Sequence, residues 1–189
     1  MFIEPSILSI VLAKLKGGKF RNLEHVEIRG FYLIGISALI QLSLSLSKRF
    51  NISFINLLIE NYLVYIILIS YLLLILVGLL NIKKIYMKLF LIGIILNLLV
   101  IMANNGQMPV SINGIKGIYK ESILPEREFD IKHTNLDKDT KLRFLADIIL
   151  IDRPYPLPKI LSIGDLFIMG GVFFFFHSEM LKRKVIPYT

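Results

Sequence analysis

The sequence predicts an all-α polytopic membrane protein: a bundle of four transmembrane helices with a short N-terminal hydrophobic helix. Three observations predict it. Of 189 residues, 55% are hydrophobic and only 19% are charged, against about a quarter charged in a soluble domain. Apolar runs long enough to cross a hydrocarbon core, which takes about 20 helical residues, recur along the chain. The cations behind the formal net charge of +8 sit between those runs, which is how loop anchors are distributed and not how a nucleic-acid-binding face is built. Mean hydropathy is +0.68, which excludes a disordered chain, and the length leaves no room for a second domain beside the bundle. Cysteine is absent, so disulfides, zinc thiolates and cysteine nucleophiles are excluded.

The first apolar run, Phe2 to Leu15, carries Glu4 and Pro5 at its start. Its length of about 14 residues gives about 21 Å of helix, a short tilted span or a re-entrant piece. No basic residues precede it and no small-x-small site follows, so it reads as retained and not as a cleaved signal. Spans are then predicted over Ile28 to Leu46, Leu57 to Leu80, Met87 to Ala103 and Ile160 to Met180. On one side of the bundle the loops and tail hold eleven cations: Lys14, Lys16, Lys19, Arg21, Arg29, Lys83, Lys84, Lys88, Lys182, Arg183 and Lys184. The other side has two, Lys48 and Arg49. The richer side is cytoplasmic by the bias of short loops. This places the C-terminus in the cytoplasm and residues 104–159 outside.

That outer segment opens with the turn formers Asn104-Asn105-Gly106-Gln107-Met108-Pro109. A charged stretch from Glu121 to Lys141 follows. Leu142, Leu145, Ala146 and Ile149 then recur at i, i+3, i+4 and i+7, which predicts a short helix over Leu142 to Leu150 on the membrane interface. Arg153-Pro154-Tyr155-Pro156-Leu157-Pro158 ends it ahead of the last span.

A carboxylate inside a span is a functional candidate by default, and Asp165 is the best of them. The Pro154 to Pro158 turn is suited to bring it near Asp147. Two adjacent carboxyl groups share a proton, and such a pair serves as general base and general acid on a water and a carbonyl. The plainer alternative is that Ser162-Ile163-Gly164-Asp165 is a capping box and that Asp147 faces Arg143 one turn back. Asn104, Asn105 and Gln107 could hold a substrate backbone or an oxyanion; the alternative is a turn with Gly106 as helix cap. Gln41 and Asn97 are expected to hydrogen-bond between helices. Glu60 sits at the outer mouth without a further role. His25, His133 and His177 show no metal-ligand spacing, so no metal and no cofactor is expected. Gly17-Gly18 is a turn and not a phosphate loop.

Lys16-Gly17-Gly18-Lys19, Ala103 to Val110, Leu145-Ala146-Asp147, and Pro156-Leu157-Pro158 leading to Ser162-Ile163-Gly164-Asp165 together resemble a family of small bacterial integral-membrane proteins catalogued as a domain of unknown function. The resemblance covers nearly the whole chain and implies a bacterial cytoplasmic (inner) membrane. It brings no activity with it. A more distant likeness ties the last quarter of the chain to lipoprotein signal peptidases, four-span aspartyl peptidases whose second catalytic aspartate opens the last span. Pro158 to Asp165 is similar to that motif, which implies Asp165 and Asp147 as the catalytic pair, with Asp152-Arg153 competing for the second position. The peptidases' Asn-Gly-Ala-Ala-Phe stretch has no counterpart after Leu46. Where they carry Asn-x-x-Asp-Arg this chain reads Asn104-Asn105-Gly106-Gln107, without an acid.

Two functions follow as expectations. The first is a metal-free aspartyl hydrolase of membrane-anchored substrates, built on Asp147 and Asp165 with Asn104, Asn105 and Gln107 as binding residues. The second is a membrane subunit or a binder of a small amphiphile or peptide, in which the acids cap and brace helices. The expected partners are the lipid bilayer and a membrane-anchored peptide or protein, and no nucleic acid.

Overall fold

A computed structural model describes residues 2–49, 53–111, 132–151, 155 and 158–182, the side chains of 47–60 excepted. The chain is mostly helical. Helix α1 is Ile3–Leu15, α2 Phe31–Arg49, α3 Ser53–Leu80, α4 Ile85–Ala103 and α5 Ile163–Leu181. Within the described residues, three stretches are long and apolar enough to cross a membrane: Asn61–Leu80, Ile85–Ala103 and Ile163–Leu181. Phe31–Leu46 is a shorter apolar stretch.

Hydrogen bonds fix which ends lie together. The Lys19 amide donates to the Met180 carbonyl, and the Asn22 side chain donates to the carbonyls of Met180 and Lys182. Asn81 accepts from the Arg29 amide and donates to the Arg29 carbonyl, while Lys84 reaches the Glu27 carbonyl. The loops after α1 and α3 and the end of α5 therefore gather at one basic end, and the helices run alternately toward it and away from it. Arg183 and Lys184 lie outside the described residues.

The opposite end carries a cap, and here the all-α expectation is corrected. Among the described residues four short strands are present: β1 Met108–Val110, β2 His133–Asn135, β3 Ile149–Ile151 and β4 Lys159–Leu161. β1 and β2 pair in parallel, with Met108 opposite His133. β3 and β4 pair antiparallel, with Ile149 opposite Leu161. The interfacial helix predicted over Leu142 to Leu150 is a 3-10 turn, Arg143–Leu145, followed by strand. Leu142 sits in the left-handed region at φ 50° and Ala146 is extended, so the backbone leaves helical geometry at both ends of that turn. The run Ile148-Ile149-Leu150-Ile151, β-branched at its three isoleucines, suits a strand, and pairing with β4 uses its backbone groups. The last helix begins at Ile163, three residues later than expected, because Lys159–Leu161 is taken by that pairing.

Two contacts set the frame of the site. α4 and α5 approach closely at Gly93 and Gly164: a Cβ on Gly93 would lie 2.5 Å from the Gly164 carbonyl oxygen. The buried cluster of Leu44, Ile67, Val100, Ile101, Met108, Leu145 and Ala146 joins the cap ends of α2, α3 and α4 to the strands above them.

A capped cavity as candidate functional site

The last helix starts with Ser162 as its cap. Ser162 Oγ accepts from the Asp165 amide at 3.0 Å, and Asp165 Oδ2 accepts from the Ser162 amide at 3.1 Å. This is the capping box the sequence suggested. Asn97 on α4 completes the arrangement across the helix interface. Its Nδ2 donates to Asp165 Oδ1 at 3.0 Å, and its Oδ1 accepts from Ser162 Oγ at 2.9 Å. Both carboxylate oxygens of Asp165 are thus held, and the acid lies in the first turn of α5, where the helix dipole favours negative charge.

Asp147 arrives by another route. Its amide donates to the Pro109 carbonyl and its carbonyl accepts from the Ser111 amide at 2.8 Å, a parallel bridge to Val110. β1 is therefore flanked by β2 on one edge and by Asp147 on the other. This brings His133 of β2 to the same carboxylate, with Nε2 3.9 Å from Asp147 Oδ2. Asp147 is buried, at 8% exposure.

The two acids, each with its own partners, line one cavity of about 370 Å³. Gln41, Tyr71, Asn97, Gly106, Met108, Lys132 and His133 share the lining. Below it an apolar cleft of about 530 Å³ runs between the helices, among Ile34, Leu74, Met87, Phe90, Ile94, Ile168 and Val172. Gln41, Tyr71, Asn97 and Asp165 line both spaces. Gln41 is positioned by its donation to Ser70 Oγ at 3.0 Å, and Ser70 in turn meets Ser37 at 2.8 Å. The inter-helix roles expected of Gln41 and Asn97 are both present.

The other sequence candidates are placed differently. Asn104 faces its own helix end and the cap: its side chain donates to the Val100 and Lys141 carbonyls and accepts from the Lys141 amide. Asn105 is exposed at φ 55° beside Gly106 at φ 82°, the left-handed pair that ends α4. Gln107 is half-buried. From this loop Gly106 and Met108 reach the cavity. Asp152 and the side chain of Glu60 lie outside the described residues. His133, read from the sequence only as a histidine without metal-ligand spacing, and Lys132 and Tyr71, which the sequence did not single out, are polar residues of the lining. Nothing local marks the first two, because β2 is brought to the cavity by strand pairing. Among the described residues, no three His, Asp or Glu side chains converge to hold a metal ion.

Chemically, the cavity offers fixed acceptors at Asp147 and Asp165, cationic or polar donors at Lys132 and His133, and an apolar extension beneath. The fold and this site define a helical protein of membrane character with a polar cavity under a small stranded cap. The chain belongs to the DUF5317 family of unknown function, which it matches over residues 25–177. It is also similar to an uncharacterized protein of Thermotoga maritima, at 27% identity over 176 residues that cover 93% of this chain and 90% of that protein. No solved structure matches. The family read from the motifs is thereby established, while the likeness to lipoprotein signal peptidases gains no support from these matches.

Proposed function

We propose that this protein is an integral protein of a bacterial cytoplasmic membrane, crossing it with α2 to α5, and that it binds a small amphiphile at the capped cavity. One observation carries the reading: a polar cavity and an apolar cleft meet at Gln41, Tyr71, Asn97 and Asp165. Ligand sites of about 300–1,000 Å³ are mostly apolar with a few convergent polar groups, and an amphiphile has that same division. Its head would lie at that junction, beside Asp165, and its apolar body would lie in the cleft among α2, α3, α4 and α5.

The test uses a diazirine-bearing dodecanol in nanodiscs of phosphatidylcholine, with photoadducts located by mass spectrometry. Adducts should concentrate on cleft residues such as Phe90 and Ile168, and Ile94→Trp, which fills the cleft, should lower them at least about tenfold. Adducts spread evenly over exposed positions such as Leu72, Leu76 and Leu99 would refute the reading.

The presence of Asp147 and Asp165 in one cavity favours a second reading, a metal-free aspartyl hydrolase of membrane-anchored substrates with Asn104, Asn105 and Gln107 near the entrance. On that reading Asp147→Asn and Asp165→Asn each abolish cleavage of a membrane-anchored peptide while the protein stays folded. Unchanged cleavage in either variant removes it.

A further inference from the structure

We infer that the apolar cleft takes a lipophilic cation, a drug-sized molecule with an ammonium head seated against Asp165. The inference rests on the amphiphile reading and specifies the charge of the head. Asp165 is the acid that lines the cleft, whose other walls are apolar apart from Gln41, Tyr71 and Asn97. Its hydrogen bonds come from Asn97 and the Ser162 amide, both neutral donors, and among the described residues no cation pairs with it. A carboxylate at this depth, held by neutral groups and open to an apolar space, attracts a cation more strongly than the same group would in water.

Aromatic side chains strengthen the case. Tyr71 and Phe90 line the cleft, and aromatic faces attract desolvated ammonium groups. The basic groups of the site lie on the other side of the junction: Lys132 and His133 line the polar cavity near Asp147 and do not line the cleft. A head that enters the cleft therefore meets a carboxylate and rings, and an anionic head would meet that carboxylate as a like charge.

The experiment compares three diazirine probes of one chain length, bearing an ammonium, a hydroxyl or a carboxylate head, in phosphatidylcholine nanodiscs. Cleft adducts are normalised to adducts on lipid-facing residues of the same sample, which removes differences in bilayer partitioning. The ammonium probe should half-saturate the cleft at about tenfold lower concentration than the alcohol, and the carboxylate should label it least. Asp165→Asn should erase the preference for ammonium, and Asp165→Glu should keep it. Equal cleft labelling by all three heads overturns the inference and leaves the amphiphile reading standing. Cleft labelling by none of them overturns both. The comparison of heads on the unmodified protein decides the matter even where a variant does not fold.

Discussion

At the scale of single residues, the junction of α4 and α5 is the least forgiving place in the molecule. A Cβ on Gly164 would stand 2.0 Å from Asn97 Oδ1 and 2.8 Å from the Gly93 carbonyl oxygen. The first contact is with a side chain already committed to Asp165 and Ser162, and the second is with backbone, so neither yields easily. Gly164→Ala should therefore destabilise the protein by about 1–3 kcal/mol, the usual cost of overpacking, and should loosen the Asn97–Asp165 contact. Gly35 on α2 is the internal control, since a Cβ there meets nothing within 4 Å. Gly35→Ala should raise stability by roughly 0.5–1 kcal/mol through reduced chain entropy. Thermal unfolding midpoints in detergent separate the two, and a Gly164→Ala protein as stable as Gly35→Ala would contradict the packing described. The Ser162–Asp165 box was legible in the sequence because its partners are three residues apart. The polar roles of Asn97 and Gln41 were legible from their place inside apolar runs. Which acid Asn97 would meet was not, because that depends on the register of two helices 68 residues apart in the chain.

At the scale of elements, α1 is fastened at three levels. Ser9 Oγ donates to the Phe173 carbonyl of α5 at 2.5 Å, and the turn after α1 meets Met180. At the cap end, Glu4 accepts from Lys159 Nζ at 2.5 Å and from the Tyr155 hydroxyl at 2.9 Å. This ties the helix to β4 and to the segment that leads into the last helix. The Lys159 hydrogen bond, ahead of the other contributions, holds the Glu4 carboxyl down at about 2 against an ordinary 4.5. A depressed carboxylate contributes stability that is complete above its unfolded-state value and lost as pH falls toward its folded-state value. Glu4→Gln should accordingly lower the unfolding midpoint by a margin that is constant above about pH 5 and closes between about pH 4.5 and pH 2. Because the pair is partly exposed, the margin should stay below about 1 kcal/mol. A margin as wide at pH 3 as at pH 7 would show that the ion pair does not fasten α1. The sequence placed each long helix to within a few residues, since apolar runs and turn formers report on local preference. It misassigned Leu142 to Leu150 because a spacing of i, i+3, i+4 and i+7 over nine residues also fits a turn followed by a strand. Leu145 and Ala146 are buried as that pattern implies, but Leu142, Phe144 and Ile148 are exposed. The strand partner, Lys159–Leu161, lies beyond the reach of local periodicity.

At the scale of the whole molecule, the distribution of charge predicts which end of the proposed membrane bundle faces the cytoplasm. Loops and helix ends that bring Lys14, Lys16, Lys19, Arg21, Arg29, Lys83, Lys84 and Lys88 together form one end. Glu179 at that end is buried and engaged by Tyr86 and Lys182, and the exposed Glu24 and Glu27 offset only part of the eight cations. Short-loop bias counts Lys and Arg and gives little weight to Asp and Glu. The cap end mixes Lys132, Lys138, Lys141, Arg143 and Lys159 with Glu4, Asp137, Asp139, Asp147 and Asp165, and a segment of that length carries little weight in setting orientation. The basic end should therefore face the cytoplasm and the cavity the outside. Because the chain has no cysteine, single-cysteine variants report this without background. A membrane-impermeant maleimide on intact cells should label Asp139→Cys, at an exposed turn of the cap, and should label Lys83→Cys only after permeabilisation. The opposite pattern would put the cavity on the cytoplasmic side. The amphiphile would then have to come from the inner leaflet or the cytosol, and the basic end could no longer be explained by the retention of cations during insertion. On the proposed amphiphile reading, either orientation puts the polar cavity at the water-facing end of the apolar cleft, so the ligand would enter head-outward along the helices, with Asp165 where its head leaves the hydrocarbon.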